Sequence, residues 1–575
     1  MKALAVVALA LLAGCSLPLP PGVQSARNRA TEQEQAGGIS VLPPGPRTGA
    51  APLDVVQGFL GAQSSSTGGH AIARMFLAPG LRRSWDDGAG VQVVDPATLR
   101  LIQEPGPAVD TTTVVVSAGV TGVVRPDGSY AVRAGTLTET YRLQRSSDGS
   151  WQLTSVPAGL RLTPADRERS YRPLRTFYVA AADPAVVADS PHLVPDQVLL
   201  PVEGSASDQQ LATALVRRLL RPASQALGDS VRSAVPRGTG LRSLSVDSSG
   251  VVTVDLTPAT FPVPVRKDLS AQLVWTLRGL GPGFTGLRLT VGGRALTVPG
   301  ETQVQASGEW DSYDPDGLAP SPPAFYVAGR RLRALGGPSL PSGPLTAGEV
   351  GDGRAVPVDD AAVTPDRSRV AVLSAAGALR LGTLSGTSFP VVLSRRGLRS
   401  PTWGSGGRGL WLLDGDHAAV LVGPRGARPV AVPDAPPGRW TSLAVARDGV
   451  RMALVAGGHL WVGRVAPGAE ARFVGLHQVA PTVLTATEVA WESATTLVVL
   501  GSLQQTFLPV RVAVDGTNVR PLDGPGLPGR PLSVTASPAG VVVQAAGSGG
   551  PPKLYLANGN GFSAAVAGSA PAYPG

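Results

Sequence analysis

Apolar positions Ala3 to Ala13 form an unbroken run behind Lys2, and after it the pattern changes. A run of that length is too short to span a bilayer as a helix, which takes about 20 residues. Residues 16–50 show no period and hold Pro18, Pro20, Pro21, Pro43, Pro44 and Pro46, the composition of a flexible tether. In residues 51–165 helical spacing gives way to alternation. Val55, Val56, Phe59 and Leu60 predict a helix over 54–62, and His70 to Leu77 a second short one. Val91–Val94, Val114–Val116, Val120–Val124, Tyr130–Arg133 and Thr138–Leu143 predict strands, with Pro126-Asp127-Gly128 as a turn. This is an N-terminal α+β domain.

Residues 173–301 read as a second α+β unit. Phe177 to Ala181 predicts a strand. Ser207 followed by Gln210 is a capping box, and Leu211, Leu215 and Leu219 share one face of the helix it opens. Leu244 and Val246, then Val252, Val254 and Leu256, alternate around Ser248-Ser249-Gly250. A helix from about Lys267 carries Leu269, Leu273, Leu277 and Leu280, and Leu287 to Val298 folds as a hairpin. Two amphipathic helices over one face of a sheet is the expected packing. Residues 302–322, with Asp314-Pro315-Asp316-Gly317, read as a linker.

From 323 to 575 almost every pattern is β, and it repeats. A strand, a polar turn and an apolar strand recur at Ala362–Leu373, Thr402–Leu413, Leu443–Val455, Val489–Leu500 and Val534–Gln544. A period of about 40–46 residues is that of propeller blades. Phe325–Leu335 joined with the C-terminal strand can build one more and close the ring. The fold class is therefore multidomain: two α+β domains followed by an all-β propeller.

Composition narrows the picture. Hydrophobic residues make up 43% and charged residues only 16%, which excludes bulk disorder. The net charge of +9 rests on Arg, since Lys2, Lys267 and Lys553 are the only lysines. No run of four basic residues occurs, and no basic-aromatic interleaving, so nucleic acid is not an expected partner. Cys15 is the sole cysteine, so no disulfide can form within the chain. It ends Leu12-Ala13-Gly14-Cys15, directly after the apolar run. A charged start, a short apolar core and small residues at a cleavage site make a secretory signal. The cysteine at the cut resembles a bacterial lipobox, in which the thiol receives a diacylglycerol. Residues 1–15 are thus expected to be a lipoprotein signal peptide with its lipobox, and Cys15 the lipidation site. Each buried CH₂ of the acyl chains contributes about 0.8 kcal/mol to anchorage.

No reactive constellation is legible. His70, His192, His417, His459 and His477 show neither H-E-x-x-H nor i,i+4 spacing, so no metal site is expected. His192 is expected in a surface loop. There is no G-x-S-x-G elbow and no Walker loop. Gly559-Asn560-Gly561 lacks the helix a dinucleotide site needs, so no cofactor is expected. Asp414-Gly415-Asp416 and Asp314-Pro315-Asp316-Gly317 read as turns rather than calcium loops. Asp359 and Asp360 are adjacent, so a strand would point them to opposite faces. Trp403, Trp411, Trp440, Trp461 and Trp491 recur in the repeats as blade core.

The order of modules resembles that of the actinobacterial LpqB lipoprotein family. The middle unit resembles a GerMN module through His192-Leu193-Val194-Pro195, Ala214–Leu220, Val251–Leu256 and Ala271–Leu277. The resemblance implies a non-enzymatic accessory protein, lipid-anchored on the extracytoplasmic face of the cell membrane. It implies contact with the extracellular domain of an MtrB-like sensor histidine kinase, modulating cell-wall growth and division. A protein that binds cell-wall glycan or lipid remains the alternative, and a propeller hydrolase a weaker one. Catalytic residues, metal ligands and cofactor ligands are expected to be none.

Overall fold

The computed structural model describes residues 42–575, apart from 107, 182–191, 203–205, 337–339, 341–342, 347–355, 408, 469 and 547–549. The chain is multidomain, with two α+β regions followed by an all-β propeller. The N-terminal region opens with helix Pro52–Ala62, which buries Val55, Val56 and Phe59. Its neighbour Thr67–Met75 begins with three left-handed residues, Gly68, Gly69 and His70, so regular helix starts only at Ala71. The four short strands expected between 114 and 143 are two long ones, Thr111–Val124 and Tyr130–Arg145. They pair through a register shift between Val120 and Gly122. Gly122 is needed there, because a Cβ would lie 2.2 Å from the Tyr130 hydroxyl oxygen. The continuous pair bends at this shift.

In the second region the capping box is present in both halves. The Gln210 amide donates to Ser207 Oγ at 3.3 Å, and the Ser207 amide to Gln210 Oε1 at 2.8 Å. The expected single sheet is instead two. One runs Leu193–Pro201, Tyr171–Ala180, Val231–Arg232, and the other Leu241–Val246, Val251–Leu256, Gly286–Val291, Arg294–Ala295. Helix Val263–Leu277 packs against strands of both, so it is not amphipathic. Asp268 to Val274, Thr276 and Leu277 are all buried. Its polar members are satisfied internally. Gln272 accepts from the Ala234 amide and donates to the Phe177 carbonyl, at 2.6 and 2.7 Å. The expected linker is also largely built in. Val304–Ala306 pairs with Gly286–Arg288, and Trp310 and Tyr313 join the same core.

The propeller has six sheets around one axis. Five are four-stranded meanders. Their inner strands are Asp360–Val363, Leu398–Trp403, Trp440–Val445, Leu484–Ser493 and Pro531–Ser537. The sixth takes its inner strand, Ser569–Ala572, from the C-terminal end and pairs it with Ala324–Ala328 and Arg331–Leu335. Each inner strand neighbours the next, and Ser569–Ala572 contacts both Asp360–Val363 and Pro531–Ser537, so the ring is closed. Trp403, Trp411, Trp440 and Trp491 are buried between blades, whereas Trp461 is half-buried.

Candidate functional site

The inner strands are stapled to one another by side chains reaching across blade boundaries. The Trp403 indole donates to the Ala362 carbonyl at 3.0 Å, and that of Trp491 to Ala444 at 3.1 Å. In return Thr402 Oγ1 accepts from the Val445 amide, Ser442 Oγ from Val489, and Thr535 Oγ1 from Tyr573. Glu488 occupies the same kind of position with a longer acid. Its two oxygens accept from Ser533 Oγ and the Val534 amide, both at 3.0 Å. Small side chains at the axis leave a cavity of about 120 Å³, lined among others by Asp360, Ser400, Thr402, Ser442, Glu488 and Arg447.

Two carboxylates therefore meet in one lumen. Asp360 begins the first inner strand and Glu488 lies in the fourth, so three blade steps separate them in either direction around a six-membered ring. They face each other across the axis. Asp360 Oδ1 accepts from the Ala361 amide at 2.8 Å. Burial pushes the Asp360 carboxyl up to about 6. Burial pushes Glu488 up to about 8, against its two hydrogen bonds and assisted by the charge of Asp360. Both side chains keep some contact with solvent in the lumen. Asp359 faces away, pairing with Arg330 at 3.0 Å, as strand alternation requires. Sequence reading treated 359 and 360 together and missed Glu488. Only the repeat register, which puts Glu488 two blades after Ser400, could have pointed to it.

Arg447 forms the floor of the lumen. Its Nε donates to Pro574 O at 3.0 Å, Nη1 to Trp491 O at 3.2 Å and Nη2 to Ala536 O at 2.9 Å. One guanidinium thus ties together the inner turns of four successive blades. Asp316 stands 3.9 Å from it, and burial pushes that carboxyl up to about 6.

The GerMN-like module seats on the blade turns at this end. Arg451 donates through Nε to Asp448 Oδ2 at 3.1 Å, pairs with it again through Nη2, and reaches the Pro195 carbonyl with Nη1 at 3.2 Å. Ser230 Oγ donates to Val465 O at 2.9 Å, and Gln197 Nε2 to Asp515 Oδ2 at 2.8 Å. His192 lies in this seam, not in the expected surface loop. Both ring nitrogens are buried, and burial holds the imidazole below its usual range despite the nearby Asp448 carboxylate. The N-terminal domain joins the seam as well. The Gln225 amide donates to Asp127 Oδ2 at 2.8 Å, and a Cβ on Gly516 would come within 2.7 Å of Val132.

The other motifs are structural. Asp414 and Asp416 pair with Arg395, Arg399 and Arg439. Gly559-Asn560-Gly561 spans a hairpin between two strands of the fifth blade. Cys15 lies outside the described residues. Among the described residues no three His, Cys, Asp or Glu side chains gather as a metal centre, and no helix is long and apolar enough to cross a membrane.

A closed propeller capped by a two-sheet α+β module, with a further α+β domain against both, defines a multimodular propeller protein. Three family models cover these parts. "Lipoprotein LpqB, N-terminal domain" matches residues 45–168, "Sporulation and spore germination" 176–297, and "Lipoprotein LpqB beta-propeller domain" 345–553. The chain belongs to the LpqB lipoprotein family. It is 28% identical to Lipoprotein LpqB of Thermobifida fusca over 86% of each chain. It is 29% identical to that of Streptomyces coelicolor over 87% of this chain and 85% of the relative. TolB from Acinetobacter baumannii is a distant structural neighbour, at 17% identity and a TM-score of 0.33 over 44% of this chain and 66% of that one.

Proposed function

We propose that this protein is a lipid-anchored, extracytoplasmic accessory protein of a sensor histidine kinase system of the MtrAB type. In this reading it modulates signalling in cell-wall growth and division and is not an enzyme. The lipidated residue is Cys15, and the relatives' shared name, lipoprotein, supports an anchor there. The observation that carries the reading is the polar seam at Arg451, Asp448 and Pro195. It holds propeller and GerMN-like module in one fixed orientation. A body of that kind, tethered to the leaflet that carries the kinase, presents a constant face at raised effective concentration.

The opposed pair Asp360 and Glu488 favours one rival, hydrolysis of a wall glycan, because carboxylates with divergent titration suit acid–base work. The small volume of the lumen supports the non-enzymatic reading. Sites that enclose a ligand of disaccharide size run from about 300 Å³ upward, and this lumen holds about 120 Å³.

The test is Cys15→Ser in cells, followed by a carbonate wash and measurement of the partner regulator's output. Loss of membrane retention together with altered output at low expression, corrected by overexpression, is the expected result. Full retention of the variant, or unchanged output in cells lacking the protein, would overturn the proposal. Residue-level crosslinking to the kinase ectodomain gives an independent reading of the partner.

A further inference from the structure

We propose that the axial lumen of the propeller is a receptor for one organic cation, an ammonium or guanidinium group carried on a peptide side chain. The cation would sit between Asp360 and Glu488. This goes beyond the accessory role and stands on the geometry of the ring. Asp360 and Glu488 occupy opposite blades and line the same cavity, near enough for the charge of Asp360 to act on Glu488. The hydroxyls of Ser400, Thr402 and Ser442 lie on the blades between them. The wall is therefore rich in acceptors. Its cation, Arg447, has Nε and both terminal nitrogens committed to carbonyls of three other blades. These acceptors can still take a second cation, since donors on a positive charge make the stronger hydrogen bonds to carboxylate.

Charge and size narrow the class. Among the described residues the titratable side chains on the lumen are Asp360, Glu488, Arg447 and Tyr573. With Asp360 titrating at about 6 and Glu488 at about 8, the acid pair carries close to one net negative charge at neutral pH. Asp316, 3.9 Å from Arg447, offsets the charge of that guanidinium, so the acid pair is left to match a monocation. A divalent metal is a poorer occupant, since no third acidic, His or Cys side chain joins the pair among the described residues. A cavity of about 120 Å³ admits the end of a side chain but not a folded element or a sugar pair.

The experiment is calorimetric titration of the full mature chain in detergent at pH 8. The probes are the blocked tripeptides Gly-Lys-Gly and Gly-Arg-Gly, with butylammonium chloride and calcium chloride alongside. Saturable binding of at least one cationic peptide is expected, weakened tenfold or more by Asp360→Asn and by Glu488→Gln. Asp359→Asn, which faces away, should leave it unchanged. Binding at pH 7 should release a proton, read as a heat that depends on the buffer, because the cation draws Glu488 into its ionised form. Butylammonium as tight as the lysine peptide would keep the ammonium chemistry and assign free amines as the source. The proposal falls if no probe binds saturably below 50 mM (a concentration of about that order is the practical ceiling for a one-charge contact). It falls equally if Asp360→Asn/Glu488→Gln, still folded by its thermal transition, binds the peptides as the parent does. Calcium binding that depends on both acids, without peptide binding, would also overturn it.

Discussion

Replacing Arg451 with Met tests the seam between module and propeller. Arg451 and Asp448 form an ion pair whose side chains are 5% and 0% exposed. Removing the guanidinium deletes the bridge to Pro195 O and leaves the Asp448 carboxylate with only the Val450 and Arg451 amides, at 2.9 and 3.2 Å. A buried charge stripped of its partner costs about 3–5 kcal/mol, although the intact pair contributes much less relative to an apolar replacement. The single variant should therefore lose about 3–5 kcal/mol in urea unfolding followed by tryptophan fluorescence. Asp448→Asn added to Arg451→Met should return most of that loss, because the uncompensated charge is gone. The two regions should also begin to unfold in separate steps, since the seam couples them. A loss below about 1 kcal/mol for Arg451→Met would refute the reasoning. So would a double variant no more stable than the single one.

Three further outcomes follow from the same structure. Leu273→Ala empties a fully buried position between the two sheets of the GerMN-like module and should cost about 2–5 kcal/mol by chemical denaturation. Trp403→Phe keeps an aromatic core but removes the donor to Ala362 O, and should lower the propeller's stability by about 1–3 kcal/mol in the same assay. Glu488 has a folded-state pKa raised from 4.5 to about 8. Its proton therefore stabilises the fold at low pH, and that contribution is lost as pH rises from about 4.5 through about 8. The full linkage would be near 5 kcal/mol. Solvent contact in the lumen reduces this to about 1–2 kcal/mol. Glu488→Gln should gain that much on the parent between pH 5 and pH 8 in paired melts, and a flat difference would refute the assignment.

Local patterns were legible wherever one face meets solvent. The capping box at Ser207 and Gln210, helix Pro52–Ala62 and the repeating blades all followed from residue spacing, as did the sixth blade from two distant segments. The misreadings share a cause. Helix Val263–Leu277 is covered on both sides, so Gln272 and Thr276 are buried donors and acceptors rather than a solvated face. Spacing cannot report a second covering layer. Val304–Ala306, Trp310 and Tyr313 looked like linker because the surrounding Asp, Gly and Pro residues dominate the local composition. His192 looked exposed because its burial comes from another module. The acid pair was invisible for a related reason. Asp360 and Glu488 are brought together only by ring closure, and Glu488 replaces a serine-like staple whose pattern it does not share.

The terminal blade sets a timetable for the molecule. Phe325 pairs with Ala572, and Arg447 needs the Pro574 carbonyl. As the polypeptide emerges from its N-terminal end, five blades can form while the ring still shows two open edges and Arg447 lacks one of its three acceptors. Such long-range closure is slow compared with local hairpins, and open strand edges invite pairing with other chains. The interval between appearance of residue 335 and of residue 572 is thus the aggregation-prone stage of this protein's biogenesis. A chain cut short just before Ser569 would keep nearly all of the mass and an unlatched ring.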